Sequence, residues 1–271
     1  MKVSITGAHG FIGRNLSCFL EKHGIEVSRV SRLLLCGKLD ELAADLAGSD
    51  AVIHLAGAPV MQRWTRKNKQ VIYNSRMVTT WNLAEAISRL PEEKRPRVFI
   101  AISGTGIYVG GKSHDEKSPD FSTDFLGKVV TDWEAASAGL SGLVRRVIFR
   151  TGLVLGKDSL LIRKLYPLFR AGLGGRIGTG KQAFPFIHIT DLERAFYTAI
   201  SREEFSGIYN LTAPHQATNQ DFTRLFSREL QRPAVLRVPA TALRLIYGRA
   251  AVVLLESPSV FPGRLQAAGF S

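Results

Sequence analysis

Cysteine is scarce in this chain, with only Cys18 and Cys36 among 271 residues. Two cysteines in apolar surroundings do not suggest a disulfide framework, which predicts a reducing compartment. The chain enters a strand directly after Met1-Lys2, which leaves no room for an apolar leader and favours a cytoplasmic location. No run of about 18 apolar residues occurs, so we expect no segment to span a membrane. We also predict no metal site.

Acidic residues are outnumbered: 36 Lys and Arg against 23 Asp and Glu give a net charge of +13 at pH 7. The excess is spread along the chain and does not form a tail. We interpret it as a solvated basic surface with a site for phosphate-bearing ligands. A nucleic-acid partner is the less favoured alternative, because no groove-reading motif accompanies the charge.

Strand-like and helical patterns alternate from residue 1 to about residue 155. The predicted strands cover residues 3–5, 26–30, 51–55, 98–102 and 146–154, and the predicted helices residues 11–22, 40–46, 74–90 and 132–139. Such alternation is typical of a parallel sheet with helices on both faces. We therefore predict an α/β fold with a doubly wound Rossmann-type parallel sheet.

The second half of the chain has a different texture. Residues 171–180 are rich in glycine and predict a loop, and residues 187–189 predict a short strand. Helices are expected over residues 191–200, 219–230 with Asn219 as N-cap, and 239–255. The predicted domains are therefore residues 1–155, which bind the cofactor, and residues 156–271, a small, mainly helical lobe on the substrate side that partly interleaves with the core.

The sharpest motif is the turn Gly7-Ala8-His9-Gly10-Phe11-Ile12-Gly13 between the first strand and the first helix. Gly7 permits a tight exit from the strand, Gly10 lets a pyrophosphate approach the backbone, and Gly13 lets the helix pack close to the sheet. The free N–H groups and dipole of the helix then stabilise the phosphates. A dinucleotide site is predicted; a merely structural glycine turn is the alternative.

The end of the second strand bears on the choice of cofactor. NAD sites usually place an acid there, whereas this strand ends with Val30-Ser31-Arg32. Arg32 has the charge to pair with a 2′-phosphate, and Ser31 the hydroxyl to donate to it. We therefore predict that NADP(H) is preferred over NAD(H), with a plain surface arginine as the alternative interpretation of Arg32.

Three segments have the spacing of a known group: Gly7 to Gly13, His54-Leu55-Ala56-Gly57, and Phe149 to Gly156. They resemble the extended short-chain dehydrogenase/reductases, the NAD(P)-dependent sugar epimerases and dehydratases. The resemblance extends over the whole chain. Within the group, the chain resembles an atypical "epimerase family protein" subgroup, also labelled cell-division inhibitor. The segments that point to this subgroup are Arg63-Trp64-Thr65, Ser75-Arg76 with Thr79-Thr80, Gly178 to Asp191, and Arg237 to Phe270. Relatives usually continue past the final Ala-Gly-Phe, so the resemblance implies that this chain lacks a last helix.

The resemblance implies roles for matching positions. The cofactor would contact the glycine turn (Gly7, His9, Gly10, Phe11, Ile12, Gly13), Ser31, Arg32, Leu55, Ala56, Gly57, Ser103, Gly104, Thr151, Gly152, Leu153 and Val154. Arg63, Trp64, Phe186 and His188 would face a substrate cleft. Alternatives stay open: His188 as a satisfied core histidine, Trp64 as a core residue, and a structural ion pair between Arg150 and Asp191.

The usual catalytic pair of the group is missing. Short-chain reductases carry a Tyr and, four residues later, a Lys on one helix, where the Lys lowers the pKa of the Tyr that moves the proton. The corresponding helix, expected around residues 125–134, contains Lys128 but no tyrosine. The spacing recurs only in Tyr108-Val-Gly-Gly-Lys112, where two glycines disfavour a helix. Tyr108, with Ser103 as helper, is the best candidate acid/base.

Three hypotheses follow. The first is an NADP(H)-dependent oxidoreductase or epimerase-like enzyme with an unusual proton donor, for which we expect a small-molecule, nucleotide-sugar-like substrate. The second is a non-catalytic NADPH-binding sensor or scaffold, and the remote third is a basic RNA-binding Rossmann protein. The resemblance allows a monomer or a homodimer.

Overall fold

The computed structural model describes residues 1–270. Its centre is a sheet of six parallel strands in the order β2-β1-β3-β4-β6-β10. These strands are β1 (Lys2–Thr6), β2 (Glu26–Val30), β3 (Ala51–His54), β4 (Val98–Gly104), β6 (Arg145–Thr151) and β10 (Gly207–Leu211). The predicted Rossmann-type sheet is confirmed.

The strand order reverses between β1 and β3. The chain first moves outward from β1 to β2, then returns to place β3 on the other side of β1. In open parallel sheets the ligand crevice lies outside the carboxyl ends of the strands at such a reversal. Thr6 and His54 end these two strands and stand side by side in the register.

Helices cover both faces of the sheet. On one face α1 and α7 pack against alternate strand residues such as Ile5, Ile53 and Phe149; on the other, α3 and α4 pack against Val52 and Phe99. The helices are α1 (Phe11–Lys22), α2 (Arg32–Leu35), α3 (Leu39–Leu46), α4 (Arg66–Ser88), α5 (Phe125–Ala135), α6 (Leu160–Arg170), α7 (Ile189–Ser201), α8 (Asn219–Glu229), α9 (Ala240–Tyr247), α10 (Val252–Leu255) and α11 (Gly263–Ala267). Within residues 1–270, no helix combines the length and apolar character needed to cross a bilayer.

Three small parallel sheets complete the fold; the first and the last named here join the second half of the chain to the first, and both strands of the other lie in the second half. β7 (Leu153–Leu155) pairs with β9 (Phe186–His188), β8 (Gly175–Ile177) with β11 (Leu236–Val238), and β5 (Ser113–His114) with β12 (Ser259–Val260). Because β10 also joins the central sheet, that sheet takes a strand from beyond the predicted boundary at residue 155.

Several element boundaries differ from the sequence predictions. α4 begins at Arg66 instead of residue 74, because Thr65 caps it by accepting from the amide of Asn68 at 3.2 Å. α5 covers Phe125–Ala135, as the resemblance implied with its range of about 125–134, and not residues 132–139, since Asp124 caps it in the same way through Gly127.

Two further differences from the predictions lie in the second half of the chain. The N-cap of α8 is Thr218 instead of Asn219, in a capping box with Asp221. The predicted loop over residues 171–180 contains β8, which pairs with the distant β11. Such long-range pairing leaves no local signal, so the sequence pattern could not indicate it.

Candidate functional site

The glycine turn has the geometry that its sequence predicts. Gly7 has φ +67°, and a Cβ there would lie 2.9 Å from the backbone of Leu55 and Ala56. A Cβ on Gly13 would lie 2.6 Å from the Cα of Ala8. Gly10 is the N-cap of α1 and supplies no side-chain cap, so the positive end of this helix is open to an anion.

The loop after β3 is fixed to the glycine turn by Thr6. Its Oγ1 accepts from the amides of Leu55 at 3.2 Å and Ala56 at 3.3 Å, and lies 2.7 Å from His54 Nδ1. Burial, with a smaller contribution from the charge of Arg76, lowers the pKa of His54 to about 3. His54 is therefore neutral at pH 7, and its hydrogen bond with Thr6 holds the ends of β1 and β3 together at the crevice.

Ser31 and Arg32 lie just beyond the end of β2. Ser31 is the N-cap of α2, and its Oγ accepts from the amide of Leu34 at 3.2 Å, which leaves the hydroxyl proton free to donate. Arg32 is the exposed first residue of α2. Within residues 1–270 it forms no ion pair, whereas Arg29, in β2 itself, pairs with Glu21 at 2.6 Å.

Ser103, at the carboxyl end of β4, belongs to a buried polar network. Its Oγ donates to Glu134 Oε1 at 2.8 Å. Arg150 holds the same carboxylate with two bonds, Nε to Oε1 at 2.9 Å and Nη2 to Oε2 at 2.7 Å. Burial alone would lower the pKa of Arg150, but the hydrogen bonds and charge of Glu134 raise it, so Arg150 remains a cation.

The predicted ion pair between Arg150 and Asp191 is therefore wrong. Arg150 pairs with Glu134, with side-chain exposures of 3% and 10%, and Asp191 pairs with Arg194 on the surface at 3.5 Å. Glu134 lies in the last turn of α5, beside β4 and β6, whereas Asp191 lies in the first turn of α7.

Tyr108 lies in the interior, with 2% of its surface exposed. Its hydroxyl donates to Asn210 Oδ1 at 2.9 Å and accepts from Arg150 Nη1 at 2.9 Å. Burial raises the pKa of Tyr108, although Arg150 and Asn210 act in the opposite direction. A buried phenol whose proton is already donated to an amide oxygen is poorly placed to protonate a substrate, and this argues against the predicted acid/base role.

The spacing from Tyr108 to Lys112 does not place these residues together on a helix. Tyr108 follows a single short 3₁₀ turn, and Lys112 Nζ pairs with Asp120 at 2.9 Å. α5 contains no tyrosine, and its Lys128 is exposed and pairs with Asp132 at 2.8 Å. On the face of α5 that packs near β4, Val130 belongs to the apolar cluster with Tyr108, and Glu134 one turn later accepts from Ser103.

The segment from Thr151 to Val154 runs from β6 into β7. Gly152 donates to the carbonyl of Leu211 at 3.2 Å, and a Cβ there would lie 2.6 Å from the carbonyl oxygen of Pro185. Glycine is therefore needed where the chain leaves the central sheet. The pairing of β7 with β9 sets Leu153 beside Phe186.

The predicted cleft residues occupy three different environments. His188 is exposed and caps α7 through Nδ1, so it is not a core histidine. Arg63 reaches across to α9, donating from Nη2 to the carbonyl of Leu245 at 2.9 Å. Trp64 is half-buried, with its ring edge-on to Phe125 at 5.0 Å.

Three residues of the site had no role assigned from the sequence: Arg76, Glu134 and Asn210. Arg76 is 9% exposed in the interior of α4, and a Cβ on Gly57 would lie 3.2 Å from its guanidinium carbon. Ser75-Arg76 stood among the distinctive motifs, which was the one available signal. Glu134 and Asn210 act through contacts with residues far along the chain, which no local pattern indicates.

Two family models match the chain. The model described as "NAD dependent epimerase/dehydratase family" matches residues 3–212, and a "domain of unknown function" matches residues 238–271. The first match covers the central sheet from Val3 to Leu211, together with the site residues from Gly7 to Asn210.

Full-length relatives are also similar. The human "Epimerase family protein SDR39U1" is 36% identical over 279 residues, covering 100% of this chain and 94% of that protein. An Arabidopsis thaliana homologue, named as chloroplastic, is 33% identical, covering 100% of this chain and 82% of that protein.

Solved structures share the fold. The crystal structure of the human protein, isoform 2 with NADPH, superposes with a TM-score of 0.93, at 36% identity, over 100% of this chain and 94% of that chain. MoeE5, solved with UDP-glucuronic acid and NAD, superposes with a TM-score of 0.79 over 100% of this chain and 93% of that chain. At 20% identity, the second likeness shows the fold alone.

Proposed function

The chain belongs to the NAD dependent epimerase/dehydratase family, and we propose that it is an NADP(H)-binding oxidoreductase or epimerase-like protein. The observation that carries the proposal is the glycine turn: Gly7 and Gly13 are positions where a Cβ would collide with backbone. Such close packing brings an uncapped helix N-terminus to the crevice, as dinucleotide binding requires. The human relative solved with NADPH supports the same cofactor.

The residues proposed to hold the cofactor come from each element that ends at the crevice. The turn provides backbone amides for the pyrophosphate, and the loop after β3 lines the adjoining side. When bound, the nicotinamide would supply or accept a hydride. The full proposed set is Gly7, His9, Gly10, Phe11, Ile12, Gly13, Ser31, Arg32, Leu55, Ala56, Gly57, Ser103, Gly104, Thr151, Gly152, Leu153 and Val154.

The preference for NADP(H) is assigned to Arg32 and Ser31. An exposed guanidinium without a carboxylate partner at the end of β2 suits a 2′-phosphate, and the free hydroxyl proton of Ser31 suits one of its oxygens. β2 also lacks an acid after Glu26, so the chain offers no carboxylate there for the ribose hydroxyls of NAD.

Calorimetric titration with NADPH and NADH tests this proposal. We expect the wild type to prefer NADPH, and Arg32→Ala to lose about 1–3 kcal/mol of NADPH binding with little change for NADH, because a charge-assisted contact is removed. Arg29→Ala is the matched control, since Arg29 lies three residues earlier, in β2, but already pairs with Glu21. Equal affinities of the wild type for both cofactors would contradict the preference, and binding of neither would end the proposal.

The substrate is proposed to be a phosphate-bearing, nucleotide-sugar-like molecule bound beside Arg63, Trp64, Phe186 and His188. The family description names epimerases and dehydratases, and the basic surface favours an anionic ligand. Ser103 is the proposed hydroxyl at the reacting centre. Since Ser103 donates to Glu134, its lone pairs are the part left to contact a substrate hydroxyl.

A non-catalytic NADPH-binding protein is the second candidate. The observation that favours it is the set of hydroxyls near the end of β4: both Ser103 and Tyr108 already donate their protons to protein acceptors. A panel of carbonyl compounds and nucleotide sugars, followed by NADPH absorbance, separates the two. Turnover that Ser103→Ala abolishes would establish the enzyme, whereas tight binding without turnover on any member would favour the sensor or scaffold.

A further inference from the structure

Two neighbouring loops in the second half of the chain carry exposed apolar side chains. The first loop, residues 171–174, leads into β8, and the second, residues 231–235, leads into β11. β8 and β11 pair in parallel with Gly175 opposite Leu236, so both loops lie at the same end of this small sheet. A Cβ on Gly172 would lie 3.9 Å from Cγ of Pro233, which places these paired loops side by side.

The apolar side chains of the paired loops face solvent. Leu173 in the first loop is 58% exposed, and Val235 in the second is 84% exposed. Two more exposed apolar side chains adjoin them: Leu168, whose carbonyl accepts from the amide of Leu173 at 2.9 Å, and Leu236, the first residue of β11. A cluster of exposed apolar groups on adjacent loops is typical of a docking surface.

Arginines flank both paired loops. Arg170 and Arg176 lie on either side of the first loop, Arg232 lies in the second, and Arg237 follows it. All four residues are exposed, and within residues 1–270 none of them forms an ion pair. Each donates to a neutral oxygen, as Arg237 does from Nε to the carbonyl of Gly178 at 2.7 Å. The loops therefore present positive charge that the described part of the chain does not neutralise.

Two of these arginines are neighbours in the small sheet. The register of the parallel pair places Arg176 in β8 beside Arg237 in β11, where their like charges repel each other. The surrounding sequence is also basic. Residues 159–190 and 222–255 contain eleven Lys and Arg but one acid, Glu229, which amounts to +10 of the net charge of +13. An anionic partner would relieve this repulsion.

We propose that the paired loops dock on the surface of a membrane that contains anionic phospholipids. Leu173 and Val235 enter the boundary between the lipid headgroups and the acyl chains, as apolar residues of membrane-surface proteins do. The guanidiniums of Arg176 and Arg237 bind lipid phosphates, because their planar forks fit two phosphate oxygens. Apolar and basic side chains on the same loops match the two layers that a membrane surface presents.

Two other partners fit the paired loops less well. A second copy of the chain would bring the unpaired arginines of both copies together, where they repel each other. Single-stranded nucleic acids bind through aromatic side chains on which their bases stack, and the two loops contain none. In such a complex Leu173 and Val235 would also stay in water, whereas a membrane removes them from it.

Co-sedimentation of the full chain with vesicles tests the proposal. Vesicles of phosphatidylcholine alone are compared with vesicles of phosphatidylcholine and phosphatidylserine. We expect binding only to the vesicles with phosphatidylserine, and weaker binding as the salt concentration rises, because ions screen the attraction between arginine and lipid. No binding to these vesicles at low salt would overturn the inference.

The double variant Arg176→Gln, Arg237→Gln locates the binding surface. One arginine near an anionic membrane strengthens binding about fivefold, so the double variant should bind the vesicles about twenty-five-fold more weakly. Neither arginine belongs to the residues proposed to hold the cofactor. The affinity for NADPH should therefore stay as in the wild type, which shows that the variant is folded.

Lys94→Gln combined with Arg202→Gln is the matched control. Both residues are exposed and form no ion pair in the described part of the chain, so the same charge is removed. Lys94 precedes β4 and Arg202 follows α7, outside the sheet of β8 and β11. We expect vesicle binding within about twofold of the wild type, because charges far from the membrane are screened. Equal weakening in the two double variants would mean that net charge alone drives binding and would refute the inference.

Val235→Ser separates a membrane from other anionic partners, and it keeps the test decisive if the arginine double variant does not fold. The change keeps all charges at an exposed position, so the fold should be unaffected. We expect vesicle binding to weaken about threefold or more, because apolar contact with lipid is lost, and binding to single-stranded RNA or polyglutamate to stay unchanged. Vesicle binding equal to that of the wild type, or a loss shared by vesicles and both polyanions, would favour a nucleic acid or an acidic protein and overturn the membrane proposal.

Discussion

Among single residues, Tyr108 links the two halves of the chain through its hydroxyl. It accepts a hydrogen bond from Arg150 in β6 and donates one to Asn210 in β10. Asn210 in turn donates from Nδ2 to the carbonyl of Phe261 at 3.0 Å. The phenol therefore satisfies buried polar groups of two neighbouring strands, which makes it a structural group of the core.

Replacing Tyr108 by Phe should therefore lower stability. The change removes one hydroxyl and leaves both Asn210 Oδ1 and a donor of Arg150 without a partner in the interior. Unsatisfied buried groups of this kind cost about 1–3 kcal/mol. Urea denaturation followed by circular dichroism measures the loss as a lower midpoint at an unchanged m-value.

Tyr166→Phe provides the comparison for this loss. Tyr166 is 42% exposed, and its hydroxyl accepts one long bond of 3.4 Å from Arg170. We expect the free energy of unfolding to change by less than about 0.5 kcal/mol. Equal losses in the two variants would show that the buried hydroxyl does not hold the strands.

At the scale of elements, α1 depends on how closely it approaches the glycine turn. Gly13 faces the backbone of Ala8, and no side chain fits between them. α1 also contacts α7 across the same face of the sheet. A helix held on both sides cannot shift to make room for an added methyl group without losing contacts elsewhere.

Gly13→Ala tests this dependence. The added Cβ would lie 2.6 Å from the Cα of Ala8, so α1 must move away from the turn. Overpacking of this kind costs about 1–3 kcal/mol, and the displaced amides should also weaken NADPH binding. Thermal unfolding with and without NADPH measures both effects.

Gly139→Ala makes the same chemical change where there is space. A Cβ on Gly139 would meet nothing within 4 Å, and its backbone is not among those with positive φ. This variant should keep its stability and its NADPH affinity. If Gly13→Ala behaved the same way, close packing of α1 on the turn would not be what positions the amides.

The sequence predicted the elements whose signals are local. β1, α1, β2 and β3 lie nearly where the sequence predicts them, because β1, α1 and β2 have periodic apolar patterns and β3 is a short, continuous buried run. The glycine turn was predictable for the same reason. Helix starts were missed where a single capping side chain decides them, as Thr65 does for α4.

The polar network of the site was not predictable from local patterns. Asp191 was the partner expected for Arg150, and its pairing with Glu134 instead depends on where α5 crosses the ends of β4 and β6. Likewise, Tyr108 meets Asn210 only because β10 is added beside β6. Such contacts depend on the sheet order, and propensities along the chain carry no information about it.

For the whole molecule, the two halves share one core. The largest cluster of buried apolar residues combines β1 and α1 with α7, β10 and α11. α11 is held by Arg264, whose Nη1 donates to the carbonyl of Ile208 at 2.6 Å and whose guanidinium lies 4.1 Å from the ring centre of Tyr209. A cut at residue 155 would therefore remove an edge strand from the central sheet, and α7 and α11 from its core.

This shared core predicts a single cooperative unfolding transition. The tryptophans are Trp64, Trp81 and Trp133, so tryptophan fluorescence reports only on the first half of the chain. Far-ultraviolet circular dichroism reports on helices of both halves. Because α7 and β10 pack in the same core as α1 and β1, the two signals should give coincident urea transitions.

Phe196→Ala sharpens this test. Phe196 lies in α7 and is fully buried, and the centre of its ring is 5.0 Å from that of Phe149 in β6. Truncating a buried phenylalanine costs about 3–5 kcal/mol. Although the change lies in the second half, tryptophan fluorescence from the first half should shift to lower urea by the same amount as circular dichroism. Leu245→Ala, at a position 77% exposed, should shift neither signal. Fluorescence that kept its wild-type midpoint in Phe196→Ala would mean that the first half folds without the second, and that the predicted boundary at residue 155 separates independent domains.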